Sequence, residues 1–232
     1  MPESYPSVCS FLTGRTFSGR RQWELSTIRP VSSGVPQGSV LGPTLFLVHI
    51  NDLLDNISSP CLLYADDIKI WRVLNDKQDP DLLQDDLDRH AAWSKTWQIP
   101  INREKSKYLH IDDDRHLNAY HVQGFLLDTS KQEKDLGVVV SSSLKTSAHT
   151  DAACFSAKRM LGVIRRSFCN LNQEAFRVLY ASFIRSRLEY AGVVTFPCTV
   201  GEMDTIERVQ RAATRLVDGT AGMDYEDILK TV

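Results

Sequence analysis

Tyr64-Ala65-Asp66-Asp67, set between Cys61-Leu62-Leu63 and Ile68-Lys69-Ile70-Trp71, constrains this chain more than any other stretch. Neighbouring carboxylates between two short, apolar, β-prone runs predict a tight hairpin whose turn presents acid groups. Side by side the carboxylates repel, and burying them unpaired costs several kcal/mol or forces a pKa upward. A divalent cation in front of them removes both problems. Magnesium prefers carboxylate and phosphate oxygens, so the turn reads as a seat for Mg²⁺ or Mn²⁺ in phosphoryl chemistry. The other reading is a solvated turn, since Asp is common in turns.

Just upstream lies Ser33-Gly34-Val35-Pro36-Gln37-Gly38-Ser39-Val40-Leu41-Gly42-Pro43-Thr44-Leu45-Phe46. Gly34 and Gly38 permit positive φ and close backbone approach to a ligand, and Pro36 stiffens the loop between them. Ser39 is placed to cap the helix that follows. Loop, helix and hairpin together resemble the reverse transcriptases of non-LTR (LINE-type) retrotransposons, in which the Gly-rich segment lies beneath template and incoming nucleotide and Tyr-Ala-Asp-Asp is the metal-binding hairpin.

The resemblance extends from about Phe11 to about Leu229. Trp97-Gln98-Ile99-Pro100-Ile101-Asn102-Arg103-Glu104-Lys105-Ser106-Lys107 looks like the family's next motif. Lys134-Asp135-Leu136-Gly137-Val138 resembles the segment that grips the primer end. Leu179–Ala191 and Ile206–Ala213 look like the helical thumb and C-terminal region. The resemblance thus implies an α+β fold: a partial palm with a small antiparallel sheet and helices over 1–145, then a helical thumb over 146–232.

It also implies site residues. Asp66 is the expected metal ligand, with Asp67 secondary, and Lys105 a cation near the leaving pyrophosphate. Gly34, Pro36, Gln37 and Gly38 would cradle template base and nucleotide. Tyr64 either touches nucleic acid or packs. Leu136 and Gly137 would form the primer grip. Lys158, Arg159, Arg165 and Arg166, on one expected helix, either contact backbone phosphates or form a solvated face. The implied partners are an RNA template, a DNA primer and deoxynucleoside triphosphates. Oligomeric state is open.

One departure matters. The family places a further metal-binding Asp on a palm strand upstream of the Gly-rich loop. Here the first Asp is Asp52, preceded only by Glu3 and Glu24, and the fingers with their basic residues have no counterpart. Two-metal phosphoryl transfer needs ligands from more than one strand. The expectation is therefore the downstream portion of a polymerase, begun after its first catalytic motif and inactive alone. The alternatives are a non-catalytic nucleic-acid-binding remnant and a truncated gene model.

Charge is distributed unevenly. Residues 1–48 carry a net +2, 49–135 −6, 136–218 +4 and the last 14 −2. A carboxylate-rich centre between basic ends fits a metal site flanked by nucleic-acid-contacting walls, or merely an uneven surface. Five widely spaced cysteines (Cys9, Cys61, Cys154, Cys169, Cys198) show no zinc spacing, and no signal peptide precedes them. They read as reduced thiols of an intracellular protein of nucleus or cytoplasm, not secreted. No apolar run reaches the length of a membrane span.

Helical periodicity predicts helices over Ser39–Asn56, Asp79–Trp97, Ala148–Phe168, Asn172–Tyr190 and Glu202–Val217, with a short one near Tyr225–Leu229. In the second of these, Leu83, Leu87, Ala91 and Trp97 form the expected apolar stripe. Its acids Asp79, Asp81, Asp85 and Asp86 read as helix-end chemistry and solvated face. Tyr108–Ile111, Gly124–Leu127 and Leu136–Val140 read as strands extending the palm sheet. Asp112-Asp113-Asp114 read as a polar turn, and the six His, including His116, show no ligand spacing.

Overall fold

The computed structural model describes residues 5–112, 118–168, 170–220 and 222–231. Asp113, Asp114, His116 and Cys169 lie outside the described residues. In chain order the elements are α1 (Tyr5–Leu12), β1 (Thr16–Phe17), β2 (Arg20–Arg21), β3 (Glu24–Leu25), β4 (Arg29–Pro30) and α2 (Leu41–His49). A 3₁₀ turn, Asn51–Asn56, leads to β5 (Cys61–Tyr64), β6 (Asp67–Ile70) and α3 (Asp79–Trp97). Next come β7 (Lys107–Leu109), β8 (His121–Val122), β9 (Phe125–Leu126), β10 (Asp128–Ser130), β11 (Gln132–Asp135) and β12 (Val138–Ser141). The remainder is helical: α4 (Ser147–Ser167), α5 (Gln173–Leu179), a π-turn Tyr180–Arg185, α6 (Ser186–Leu188), α7 (Gly192–Thr195), α8 (Val200–Thr214) and α9 (Tyr225–Thr231).

This mixture of helices and small sheets is α+β, as expected. The strands expected to extend one small antiparallel sheet do not join into one among the described residues. Strands pair only two by two, β1 with β4, β2 with β3, β5 with β6, β7 with β10, β8 with β9 and β11 with β12. The β7–β10 pair is parallel, not antiparallel. Strands of two to four residues offer too few ladder bonds to recruit a third neighbour. No helix among the described residues is long and apolar enough to cross a membrane.

The chain divides into two compact units. The first comprises residues 1–101 and 120–126, the second 102–119 and 127–232. In the first, Ile50, Leu53 and Trp93 are buried, with Phe46, Ile57, Leu63, Ile68 and Ile99 packed on them. This cluster gathers α2, the 3₁₀ turn, both hairpin strands and α3. Trp93 keeps its indole N–H satisfied by donating to Asp52 Oδ1 at 2.9 Å.

The expected helix over Ser39–Asn56 is shorter than its periodicity suggests. It stops at Ile50, whose ψ of 4° leaves the α region, and the polar Asn51-Asp52 and Asp55-Asn56 continue as 3₁₀. By contrast α3 has the expected bounds, with a Pro in its first turn and Gln98 in the left-handed region closing it.

In the second unit, Cys154, Ala157 and Ile164 of α4 meet Phe176, Ile184, Val209 and Ala213 in a buried core. A capping box starts α8. Thr199 Oγ1 accepts the Glu202 N–H at 3.2 Å, and Glu202 Oε2 accepts the Thr199 N–H at 3.0 Å. Glu202 Oε1 also accepts from Thr146 Oγ1 at 3.0 Å, tying α8 to the start of α4.

Candidate functional site

β5 and β6 form the expected hairpin, with Cys61 opposite Ile70, Leu62 opposite Lys69, Leu63 opposite Ile68 and Tyr64 opposite Asp67. Leu63 and Ile68 turn inward onto the Trp93 cluster, which fixes the register, because a one-residue slip would turn both to solvent. Ala65 and Asp66 are left as a two-residue turn. Ala65 takes the required positive φ, 51°, although it is not glycine. Tyr64, Ala65, Asp66 and Asp67 are all exposed, Tyr64 at 63%. Tyr64 thus lies outside the core of the first unit.

The base of this hairpin is anchored by a group that sequence reasoning assigned elsewhere. Asp86 is not a solvated helix-end acid. It is fully buried, and its carboxylate accepts Ser58 N–H at 2.9 Å, Ser59 N–H at 2.8 Å and the Ser58 hydroxyl at 3.0 Å. Arg89 Nη1 adds an ion pair at 2.8 Å. Burial alone would push this carboxyl up, but the Ser59 and Ser58 donors outweigh it and hold the pKa at about 2. The buried stripe of α3 accordingly runs through Leu83, Asp86, Trp93 and Ser94, rotated from the expected one, and Trp97 is 40% exposed.

A second acid completes the anchor. Arg72, just after β6, donates from Nε to Asp79 Oδ1 at 2.9 Å and from Nη1 to Ser59 Oγ at 3.2 Å. Asp79 Oδ2 accepts the Asn75 and Asp76 N–H groups at 2.9 and 2.7 Å. The Asp76 N–H and then the Arg72 guanidinium hold the Asp79 carboxyl below its ordinary range. Both ends of the hairpin are thus fastened to α3 while the acid-bearing tip projects into solvent. The sequence signal for this was an Asp at helical spacing from Leu83 and Trp93, a charge on a core stripe.

The Gly-rich loop sits in the same unit. Gly34 and Gly38 have φ of 76° and 80°, as their roles in the loop required. Arg15 Nη2 donates to the Ser33 carbonyl at 3.2 Å and to the Gly34 carbonyl at 2.5 Å, clasping the loop's start. Ser39 Oγ accepts the Gly42 N–H at 3.0 Å, the expected cap, and donates to the Pro36 carbonyl at 2.6 Å. Gln37 and Gly38 are exposed and Pro36 is half-buried.

The remaining expected site residues fall in the second unit. Lys105 is exposed, in a turn nucleated by Asn102, whose Oδ1 accepts the Glu104 and Lys105 N–H groups at 3.1 and 3.3 Å. Leu136 and Gly137 are the two turn residues between β11 and β12, with φ of 44° and 90°, both positive as a type I′ turn requires. Lys158, Arg159, Arg165 and Arg166 are all exposed on α4. Arg159 and Arg166, seven residues apart, share a stripe.

Chemically, Asp66 and Asp67 offer hard oxygen donors on adjacent residues, a donor set that suits magnesium. Among the described residues no group of three or more His, Cys, Asp or Glu gathers to hold a metal ion.

The hairpin with its exposed adjacent Asp residues and the helix that follows the capped Gly-rich loop rest on one shared core. The family model for reverse transcriptase (RNA-dependent DNA polymerase) matches residues 3–150, and the chain belongs to that family. Its relatives come from mobile elements, in keeping with the LINE-type retrotransposon resemblance of the motifs. It is 31% identical over 158 residues to the RNA-directed DNA polymerase from mobile element jockey of Drosophila melanogaster, covering 64% of this chain and 17% of that protein. A probable RNA-directed DNA polymerase from transposon X-element of the same fly is 27% identical over 222 residues, 90% of this chain and 24% of that protein. Another, from transposon BS, is 26% identical over 232 residues, 92% and 25%. The chain thus spans 17–25% of the length of these curated relatives. No solved structure matches it significantly.

Proposed function

We propose that this chain supplies the metal-binding hairpin of the palm, within residues 1–145, and the helical thumb, 146–232, of an RNA-directed DNA polymerase. The observation that carries this reading is the Ala65-Asp66 turn, held at its base by buried Asp86 and by the Arg72–Asp79 pair. Such anchoring fixes where Asp66 projects, which phosphoryl transfer demands of its ligands. Asp66 and Asp67 would hold Mg²⁺ or Mn²⁺ together with a carboxylate supplied from outside this pair. A cation there supplies charge neutralisation on the phosphates.

The chain's own groups have roles in the same reaction. Gly34, Pro36, Gln37 and Gly38 present backbone and amide to the template base and incoming deoxynucleoside triphosphate, and Tyr64, on the hairpin, also touches nucleic acid. Lys105 meets the leaving pyrophosphate. Leu136 and Gly137 hold the primer end. Lys158, Arg159, Arg165 and Arg166 position the RNA–DNA duplex by its phosphates without reading sequence.

A primer-extension assay on a polymerase in which this chain replaces the matching segment of the jockey relative tests the reading. Extension on an RNA template that Asp66→Asn abolishes is the expected result. Extension that persists in Asp66→Asn overturns it. The incomplete ligand set favours a second reading for the chain by itself, a nucleic-acid binder without catalysis. Salt-dependent binding of primer–template by the isolated chain, without extension, distinguishes it.

A further inference from the structure

The helical stretch after Asn172 changes its hydrogen-bonding step midway. Gln173–Leu179 is α-helical, Tyr180–Arg185 is a π-turn, and α geometry returns at Ser186. π-turns are rare and concentrate at functional sites. This one forms a wall of a cavity of about 380 Å³, with α8 and α9 as the other walls. Phe176 and Tyr180 stack there with centroids 5.4 Å apart, Tyr225 comes from α9, Gln210 from α8, and Arg177 and Arg185 stand exposed at the edge.

We propose that this cavity takes one unstacked nucleotide of a single-stranded nucleic acid, its base against Tyr180 and Tyr225 and its phosphate on Arg177 and Arg185. The volume falls in the range of small-ligand sites, about 300–1,000 Å³. Aromatic faces accept any base, and the planar guanidinium matches a phosphate's paired oxygens. The rings are held in place and neutral. Tyr180 is hydrogen-bonded to Gln210. Tyr225 is pushed up to about 12, first by burial and then by its bond to Glu207. The Arg211 guanidinium lies 4.6 Å over the Tyr225 ring and steadies it further.

The neighbouring acids narrow the ligand. Arg185 pairs through Nε with Glu189 at 2.7 Å, both side chains more than half exposed, and Arg211 with Glu207 at 3.5 Å. An exposed pair of this kind is weak, so a phosphate on the Nη edge of Arg185 competes with little loss. Two carboxylates close by disfavour a triphosphate far more than the single charge of a phosphodiester. The ligand's class rests on the polymerase reading, whereas the cavity does not.

The test uses the full chain with EDTA present and an octauridylate carrying one 4-thiouridine. The expected photocrosslink lies on the peptides holding Tyr180 or Tyr225. The Arg177→Ala/Arg185→Ala variant, altered only at exposed positions, should bind at least tenfold more weakly, with a salt slope lower by about 1 to 2. Tyr180→Leu should lose the crosslink, and circular dichroism checks its fold. Crosslinks confined to other peptides, unchanged affinity in the double-arginine variant, or uridine monophosphate competing as well as the strand would each overturn the proposal. Because neither metal nor primer is present, failure of extension leaves this result standing, and a polymerase that extends without the crosslink refutes this site alone.

Discussion

The Tyr190 hydroxyl donates to the Leu136 carbonyl at 2.7 Å, and the same ring lies across Gly137. A Cβ on Gly137 would meet Tyr190 Cε1 at 2.8 Å and its Oη at 3.0 Å. The tip of the β11–β12 hairpin is thereby held by a side chain 54 residues away, on the segment between α6 and α7. The proposed primer grip is thus set by a tyrosine in the proposed thumb, within one compact unit.

Gly137→Ala should therefore destabilise the second unit by about 1–3 kcal/mol, through strain at φ 90° and expulsion of the Tyr190 ring. Tyr190→Phe should cost about 1 kcal/mol, one hydrogen bond. In Tyr190→Ala the glycine substitution should cost less, since only the backbone strain remains. Urea unfolding of the four species forms a cycle that reads this coupling. Additive effects would show that ring and turn do not interact.

Asp66→Asn should separate function from folding. The side chain is exposed and makes no core contact, so stability should change by less than about 0.5 kcal/mol. In the jockey-based polymerase described above, extension should nonetheless be lost. Thermal melts beside extension assays decide the matter, and a large loss of stability would mean that the turn is structural.

Much of the first unit was legible in the residues. The short apolar, β-prone runs on either side of Tyr64-Ala65-Asp66-Asp67 gave two strands and a tight turn, but not the register, which the inward Leu63 and Ile68 set, nor the place of Asp67 on β6 rather than in the turn. Helical periodicity gave both ends of α3, though not the face it buries. Asp86 was misread because a local rule, acids near a helix N-terminus, fitted it, whereas its partners Ser58 and Ser59 lie 28 and 27 residues away. The π-turn was invisible for a similar reason. Leu179 to Leu188 fits an α pattern, and only tertiary packing around the Tyr180 cavity distinguishes one step from the other. Parallel pairing of β7 with β10 has no sequence signature in strands this short.

Gly42→Ala opposes two effects of known sign. Within a helix the substitution gains about 1 kcal/mol of propensity. Here the new Cβ would sit 2.8 Å from the Pro36 carbonyl oxygen and 2.8 Å from Ser39 Oγ. One of these is backbone and cannot swing aside, so the Gly-rich loop must move off the helix and the Ser39 cap must break. The expected outcome is a net loss of about 1–3 kcal/mol by denaturation. A net gain would mean that loop and helix are not docked as described.

Asp86 sets the acid limit of the first unit. Its pKa falls from an ordinary 3.8 to about 2 on folding. With the folded value below the unfolded one, the unfolded chain binds the proton more readily at low pH. The resulting stability, on the order of 2 kcal/mol, is present above about pH 4 and is lost as pH falls toward 2. Asp86→Asn should flatten this part of the pH–stability curve, because no proton remains to be taken up. Its amide can accept from fewer donors, so stability at pH 7 should also drop, by about 2–4 kcal/mol. Urea unfolding at pH 2.5, 4 and 7, followed by tryptophan fluorescence, reads both effects. A wild-type curve as flat as that of the variant would mean that the carboxylate does not hold Ser58 and Ser59, and the hairpin would then lose its anchor on α3.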